Sequence, residues 1–228
     1  MTVYDALHFL PRSRAVDYPK GSIIFEPARP ADSLYLVLTG RVKICCIAPN
    51  GCQTLLRIAM PETFFGECAL VDPDDNRQHA IALDTAKIMS WSVDELGRHI
   101  EREPMLSMAL FSQFAKSNRK LRDRVAMNSW FNTGTRVTIA LIQLGRDIGD
   151  RTQDGAMRMT GLTHQGIADY VGTSREIVTC EMNRLRRLGF LSYSRRHIDV
   201  YADALSESLR EQGQLAAAES MPGATAGA

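Results

Sequence analysis

Two groups of side chains in this sequence combine residue types and spacings suited to recognition chemistry. The first is Arg175-Glu176, followed one helical turn later by Thr179-Cys180. Near the start of a helix, a guanidinium can grip the N7 and O6 edge of guanine, and a carboxylate can accept from the amino group of cytosine. Arg175, Glu176, Thr179 and Cys180 are therefore candidate base contacts. Thr163, Ser174, Arg195 and Arg196 are candidate phosphate contacts, which position a protein on a duplex rather than specify sequence. The second group is Gly66-Glu67-Cys68-Ala69, with Arg77-Gln78 beyond a polar loop. A glycine lets backbone amides approach an anion closely, and amides opening a short helix can hold a phosphate. Arg77 can supply a paired charge, and Glu67 can accept a hydrogen bond from a ribose hydroxyl. A plain turn with a solvated Arg77 is the competing reading. No nucleophile–base pair or metal-ligand cluster stands at a defensible spacing, so an enzyme is not expected.

The first group needs a pair of helices to hold it. Ile167, Ala168 and Val171 mark the apolar side of one short helix, and Gly172 supplies a turn. Ser174 can cap a second helix, in which Ile177, Val178, Met182, Leu185 and Leu188 recur at helical spacing and are expected to face a core. Residues 189–201 read as a β-hairpin turning at Arg195-Arg196. Two packed helices with a glycine turn are common in proteins that never touch DNA, and that reading stands beside the sharper one. Upstream, Asn132 suits the N-cap of a backing helix from Arg136 to about Arg146.

The second group sits within short strands between Gly21 and about Trp91, spaced as in a barrel or roll. Asn50-Gly51 is a two-residue hairpin signal among them. Pro104 can begin a long helix reaching about Trp130. On it Leu110, Phe114, Ser117, Leu121 and Val125 share a broad stripe. The stripe either packs on its own β domain or forms a coiled-coil-like seam between two copies.

Composition narrows the partners. The formal charge of +1 hides a mildly basic stretch, residues 101–201, between an acidic N-terminal part and an acidic tail. That distribution fits a DNA partner. Five cysteines without a C-x-x-C pair, Cys45, Cys46, Cys52, Cys68 and Cys180, read as reduced thiols in a cytoplasmic protein. No long apolar run and no secretory signal are seen, so no membrane association is expected. Cys180 is either a small residue tolerated at a relaxed position or a thiol on the reading face whose oxidation would block binding. His79 or Cys68 can be nominated as a haem ligand, although a lone histidine beside a loop is ordinarily a polar surface residue.

Longer stretches carry a resemblance. Gly21, Pro30-Ala31-Asp32-Ser33-Leu34-Tyr35-Leu36-Val37, Gly40-Arg41-Val42 and Phe65-Gly66-Glu67-x-Ala69-Leu70 resemble the cyclic-nucleotide-binding β-roll. Joined to Thr173-Ser174-Arg175-Glu176-x-Val178, they resemble the Crp/Fnr family of bacterial transcription regulators over roughly residues 15–202. The resemblance implies an α+β chain: a β-roll sensor domain (1–103), a dimerisation helix (104–131) and a winged helix-turn-helix DNA-binding domain (132–210). The tail, 211–228, reads as disordered. It also implies a homodimer on a pseudopalindromic double-stranded operator, and RNA polymerase as a partner if the protein activates.

Three departures from the family pattern matter. Gln78 stands where cyclic AMP-binding members have a serine. The region 121–125 lacks their Thr-Ser pair, and Cys180 replaces a second base-reading arginine. The iron–sulfur sensors of the family carry an N-terminal cysteine cluster, whereas the first cysteine here is Cys45. Cyclic AMP, cyclic GMP and cyclic di-GMP therefore all stay open as effectors. So do a regulator of the same fold that needs no effector or responds to thiol oxidation, and a cyclic-nucleotide sensor acting through protein partners.

Overall fold

The computed structural model describes residues 6–29, 31–71 and 77–211. Pro30, most of the polar loop (72–76) and the tail from 212 onward lie outside the described residues, and with them the expected disorder of that tail. Contacts divide the chain between Arg119 and Lys120.

The N-terminal unit comprises α1 (Ala6–Phe9), β1 (Ala15–Tyr18), β2 (Ile23–Phe25), β3 (Ser33–Thr39), β4 (Val42–Ile47), β5 (Gln53–Ala59), β6 (Phe64–Phe65), β7 (Gln78–Ala82), β8 (Ala86–Ser92) and α2 (Val93–Arg102). It also holds the first part of α3 (Met105–Trp130). The strands form two four-stranded antiparallel sheets, ordered β1-β8-β3-β6 and β2-β7-β4-β5. Residues Ser33–Val37 are all buried because β3 is covered on both faces. With a side-chain period of two, Tyr35 and Val37 enter a core with Phe25, Phe65, Ile44 and Ile88. Leu34 and Leu36 enter a second core with Phe64, Trp91, Leu96, Leu106 and Leu110. That second core fastens α1, α2 and the start of α3 to the roll.

The C-terminal unit contains the rest of α3, α4 (Thr133–Ile148), β9 (Asp150–Arg151), β10 (Met157–Thr160), α5 (His164–Val171), α6 (Arg175–Arg187), β11 (Leu191–Tyr193), β12 (His197–Val200) and α7 (Ala202–Glu211). Its sheet runs β11-β12-β10-β9. Asp199 on β12, only 8% exposed, accepts two hydrogen bonds from Arg158 on β10, both 2.7 Å. The guanidinium holds the Asp199 carboxyl below the usual carboxylate range. A buried charge is tolerable when paired in this bidentate way.

Several expectations change in detail. The Asn50-Gly51 hairpin forms, but its loop is wider than two residues. Gly51 N–H donates to the Ala48 carbonyl and Ala48 N–H to that of Cys52, so the turn is Ala48–Gly51 with a left-handed Gly51 (φ 82°). Cys52 therefore faces Ala48. Helix α4 starts at Thr133, three residues early, because the Asn132 side chain accepts from Thr135 N–H at 3.0 Å. Ile177 and Leu188 do not face the core: they are 43% and 55% exposed, while Val178, Met182 and Leu185 are buried. The broad stripe of α3 also narrows. Leu110, expected in the dimer seam, is buried against its own roll, and the Ser117 hydroxyl accepts from Arg57. Phe114 packs partly on the same core. Along α3 the exposed large apolar side chains are instead Met108, Phe111, Val125 and Trp130, with Leu121 half-buried.

Candidate functional site

Capping chemistry sets helices α5 and α6. Thr163 begins α5, its hydroxyl accepting from Gly166 N–H at 3.0 Å. Gly172, in the left-handed region at φ 71°, ends that helix, with its N–H on the Ala168 carbonyl. Ser174 then caps α6, accepting from Ile177 N–H at 3.4 Å. Burial of Val178, Met182 and Leu185 on one side leaves the other side to solvent.

On that outer side Arg175, Glu176, Thr179, Cys180 and Asn183 line one shallow open concavity. Hydrogen bonds from its own amide and from the Ser174 hydroxyl hold the Glu176 carboxyl below its ordinary value. Glu176 is thus an acceptor-only group at neutral pH. Thr179 is less free than its sequence position suggests. Its hydroxyl donates to the Arg175 carbonyl at 2.8 Å and also meets His164 Nδ1 at 2.9 Å. A hydroxyl has one proton, so Nδ1 of His164 must be the donor in the second contact.

The arginines behind this face are sorted by their partners. Arg184 closes on Glu181, whose Oε1 also accepts from Thr138 on α4 at 3.0 Å. Arg186 lies over the Tyr193 ring, 5.1 Å from its centroid. Arg195 and Arg196 are exposed at the tip between β11 and β12. Ser194 shapes that tip, accepting from Arg196 N–H at 3.1 Å while its own N–H donates to the His197 carbonyl at 2.9 Å. His164 and Tyr193, which nothing in the sequence singled out, prove to be neighbours of the reading face.

In the roll, Gly66 takes φ 84° at the head of a 3₁₀ turn, Glu67–Leu70. A Cβ there would stand 2.6 Å from Tyr35 Cδ2 and 2.8 Å from the Ser33 carbonyl, so only glycine fits. Ala69 sinks into the core, and burial together with the Glu67 carboxylate pushes the half-buried Cys68 thiol up. Arg77 is exposed just before β7, and Gln78 begins that strand opposite Cys46. The structure thus gathers Gly66, Glu67, Cys68 and Ala69 into one turn, with Arg77 and Gln78 on the other sheet. Sequence reasoning missed Arg57, whose Nη2 donates to both Glu67 oxygens at 2.8 and 2.7 Å. The available signal was a lone charge in the apolar run Leu55-Leu56-Arg57-Ile58-Ala59.

Comparison with known proteins gives both units a family. The chain matches the cyclic nucleotide-binding domain over residues 15–103 and the Crp-like helix-turn-helix domain over residues 135–204. It is 34% identical over 164 residues to the CRP-like cAMP-activated global transcriptional regulator of Mycobacterium tuberculosis, covering 72% of this chain and 73% of that protein. It is 25% identical over 186 residues to the global nitrogen regulator of a Synechocystis species, covering 81% and 83%. Its fold is shared with the c-di-GMP responsive global regulator CLP of Xanthomonas campestris, at a TM-score of 0.75 and 20% identity over 86% of this chain and 98% of that one. FixK2 from Bradyrhizobium japonicum gives 0.73 at 21% identity, over 87% and 97%. With an effector-binding β-roll joined to a DNA-binding helix-turn-helix, the chain belongs to the Crp/Fnr family of transcription regulators.

Proposed function

We propose that this protein is a homodimer that reads a pseudopalindromic operator and is controlled by a cyclic nucleotide at its roll. One observation carries the reading: Arg175, Glu176 and Cys180 stand exposed on a capped helix whose other side is buried. Arg175 takes a guanine and Glu176 a cytosine amino group, each worth ~1–3 kcal/mol of discrimination. Thr179 contributes by contact rather than by donating its proton, and Cys180 leaves the third position permissive. Thr163, Arg195 and Arg196 take phosphates; Ser174, whose single proton lies on the Glu176 carboxylate, does so by releasing that bond. RNA polymerase is the further partner if the protein activates.

At the roll, the amides of Gly66, Glu67 and Cys68 hold a phosphate, with Arg77 as its counter-charge and Gln78 alongside; the Ala69 N–H is engaged by the Gly66 carbonyl at 3.0 Å and only shapes the turn. The names of two relatives, a cAMP-activated regulator and a c-di-GMP responsive one, support a cyclic nucleotide as the ligand class. The exposed apolar side chains Phe111 and Val125 support α3 as the dimer seam.

Selection of bound duplexes from a randomised pool, at stated salt and with or without cyclic AMP, cyclic GMP and cyclic di-GMP, tests this reading. A symmetric motif strengthened by one nucleotide is expected. Equal affinity for all duplexes under every condition would sink it. The exposure of Cys180 favours one second reading, a thiol-responsive regulator. Operator binding that survives peroxide with Cys180 oxidised eliminates it.

A further inference from the structure

Within the roll, the acceptor Glu67 already has an occupant. Arg57 projects from β5 with only 18% of its side chain exposed, and it spends its guanidinium on two elements. Its Nη2 donates to both oxygens of Glu67 (2.8 and 2.7 Å), and its Nη1 donates to the Ser117 hydroxyl on α3 at 3.0 Å. Glu67 is itself only 35% exposed, so the pair sits at the roll's surface in contact with water on one side. The guanidinium takes one acceptor site on each Glu67 oxygen and turns both toward β5, leaving a ribose hydroxyl only their outer lone pairs.

We propose that Arg57 is a built-in competitor for Glu67, and that a cyclic nucleotide with a free ribose 2′-hydroxyl binds only as this pair opens. The inference rests on the reading that the roll takes a cyclic nucleotide, and adds how access to the site is set. Water reaches the pair on its Glu67 side and screens it, so it is weaker than a fully buried pair and can open. A site open in about one molecule in ten binds its ligand about tenfold more weakly than one always open. Because the same guanidinium holds Ser117, opening the pair also releases the contact between β5 and α3. Arg57 is thus a positioning residue: it acts on the ligand through Glu67 and reports occupancy to α3 through Ser117.

The test is isothermal titration of the full-length protein with cyclic AMP, cyclic GMP, cyclic di-GMP and the 2′-deoxy analogue of whichever binds. Wild type, Arg57→Ala, Arg57→Gln and Arg57→Ala/Glu67→Gln are compared. The expected result is binding tightened about tenfold in Arg57→Ala, with the gain lost for the 2′-deoxy ligand and in the double variant. If Arg57→Ala fails to fold, Arg57→Gln carries the same comparison, since it removes the charge and keeps a polar side chain. Unchanged or weaker binding overturns the proposal, the latter by making Arg57 a ligand contact. A gain of equal size for the 2′-deoxy ligand overturns it too, because the competition would not be at Glu67. Failure of every protein to bind any of the three nucleotides removes the cyclic-nucleotide reading itself and this proposal with it. A wild type that binds with no gain in the variants removes the proposal alone.

Discussion

Tyr193 on β11 donates its phenolic proton to the side-chain oxygen of Asn183 on α6, 2.8 Å away. The same ring meets His164 of α5 edge-on, with centroids 5.0 Å apart, and lies beneath the Arg186 guanidinium. One residue of the hairpin thereby ties both helices of the reading unit. Tyr193→Phe keeps the ring and is expected to cost about 1 kcal/mol of stability. Tyr193→Ala also removes the ring contacts, so about 2 kcal/mol is expected. Duplex affinity should weaken across all sequences alike. Thermal melts and binding isotherms check this, and a Tyr193→Ala protein as stable as wild type removes the tie.

Arg175 and Arg195 are both exposed, yet their substitution should leave different signatures. Arg175→Ala is expected to abolish preference at one base pair per half-site, at ~1–3 kcal/mol. Arg195→Ala should weaken all duplexes uniformly and reduce the salt slope by about two, one for each half-site of the dimer. Titrations of matched and mismatched duplexes over a range of salt separate the two. A uniform loss in Arg175→Ala would reassign that residue to the phosphate backbone.

The outer side of α6 was legible because its signals are local. Gly172 must supply a left-handed turn, Ser174 must cap, and helical spacing separates Val178, Met182 and Leu185 from Arg175, Glu176 and Cys180. Ile177 misled because periodicity defines a face by angle, whereas exposure depends on which neighbour covers it. The stripe on α3 could not be apportioned by angle alone: Leu110 and Ser117 lie on its face, but the roll takes one and Arg57 the other. The pairing of Arg57 with Glu67 could not be read, since strand register alone does not say that β5 passes beside the turn after β6. A legible signal also went unread. Ser92 and Glu95 form a capping box at the head of α2, spaced as such boxes are in sequence.

Gly66 is expected to tolerate no side chain. Gly66→Ala would force a left-handed alanine, at about 1–2 kcal/mol. It would also push its methyl into Tyr35 and the Ser33 carbonyl, and a backbone atom cannot swing aside. Loss of about 2 kcal/mol or more from the roll is the expected outcome, with nucleotide binding lost in proportion. A melt of Gly66→Ala indistinguishable from wild type would mean that this turn can refold around a Cβ.

Phe111 and Val125, 68% and 67% exposed, lie fourteen residues apart on α3, two heptads along one face. Exposed apolar side chains aligned in this way are what the proposed dimer seam would cover. Phe111→Glu and Val125→Glu are expected to convert a dimer to a monomer in sedimentation and to remove the advantage of a two-fold operator over a single half-site. Dimers that persist in both variants would place the seam elsewhere.

His164 gives the reading unit a dependence on pH. Burial first, and the Arg175 guanidinium second, push its imidazole below the ordinary value. As pH falls, the unfolded chain, titrating near 6.5, therefore takes up its proton before the folded chain does. Through that window the unfolded state binds more protons, so stability falls with pH. The contribution is complete above about 6.5 and is lost as pH drops through the lower folded value. His164→Gln removes the titrating group, so the difference in melting temperature between wild type and variant should shrink as pH is lowered from about 8 to about 5. A difference that stays constant across that range would show that His164 titrates alike in folded and unfolded chains.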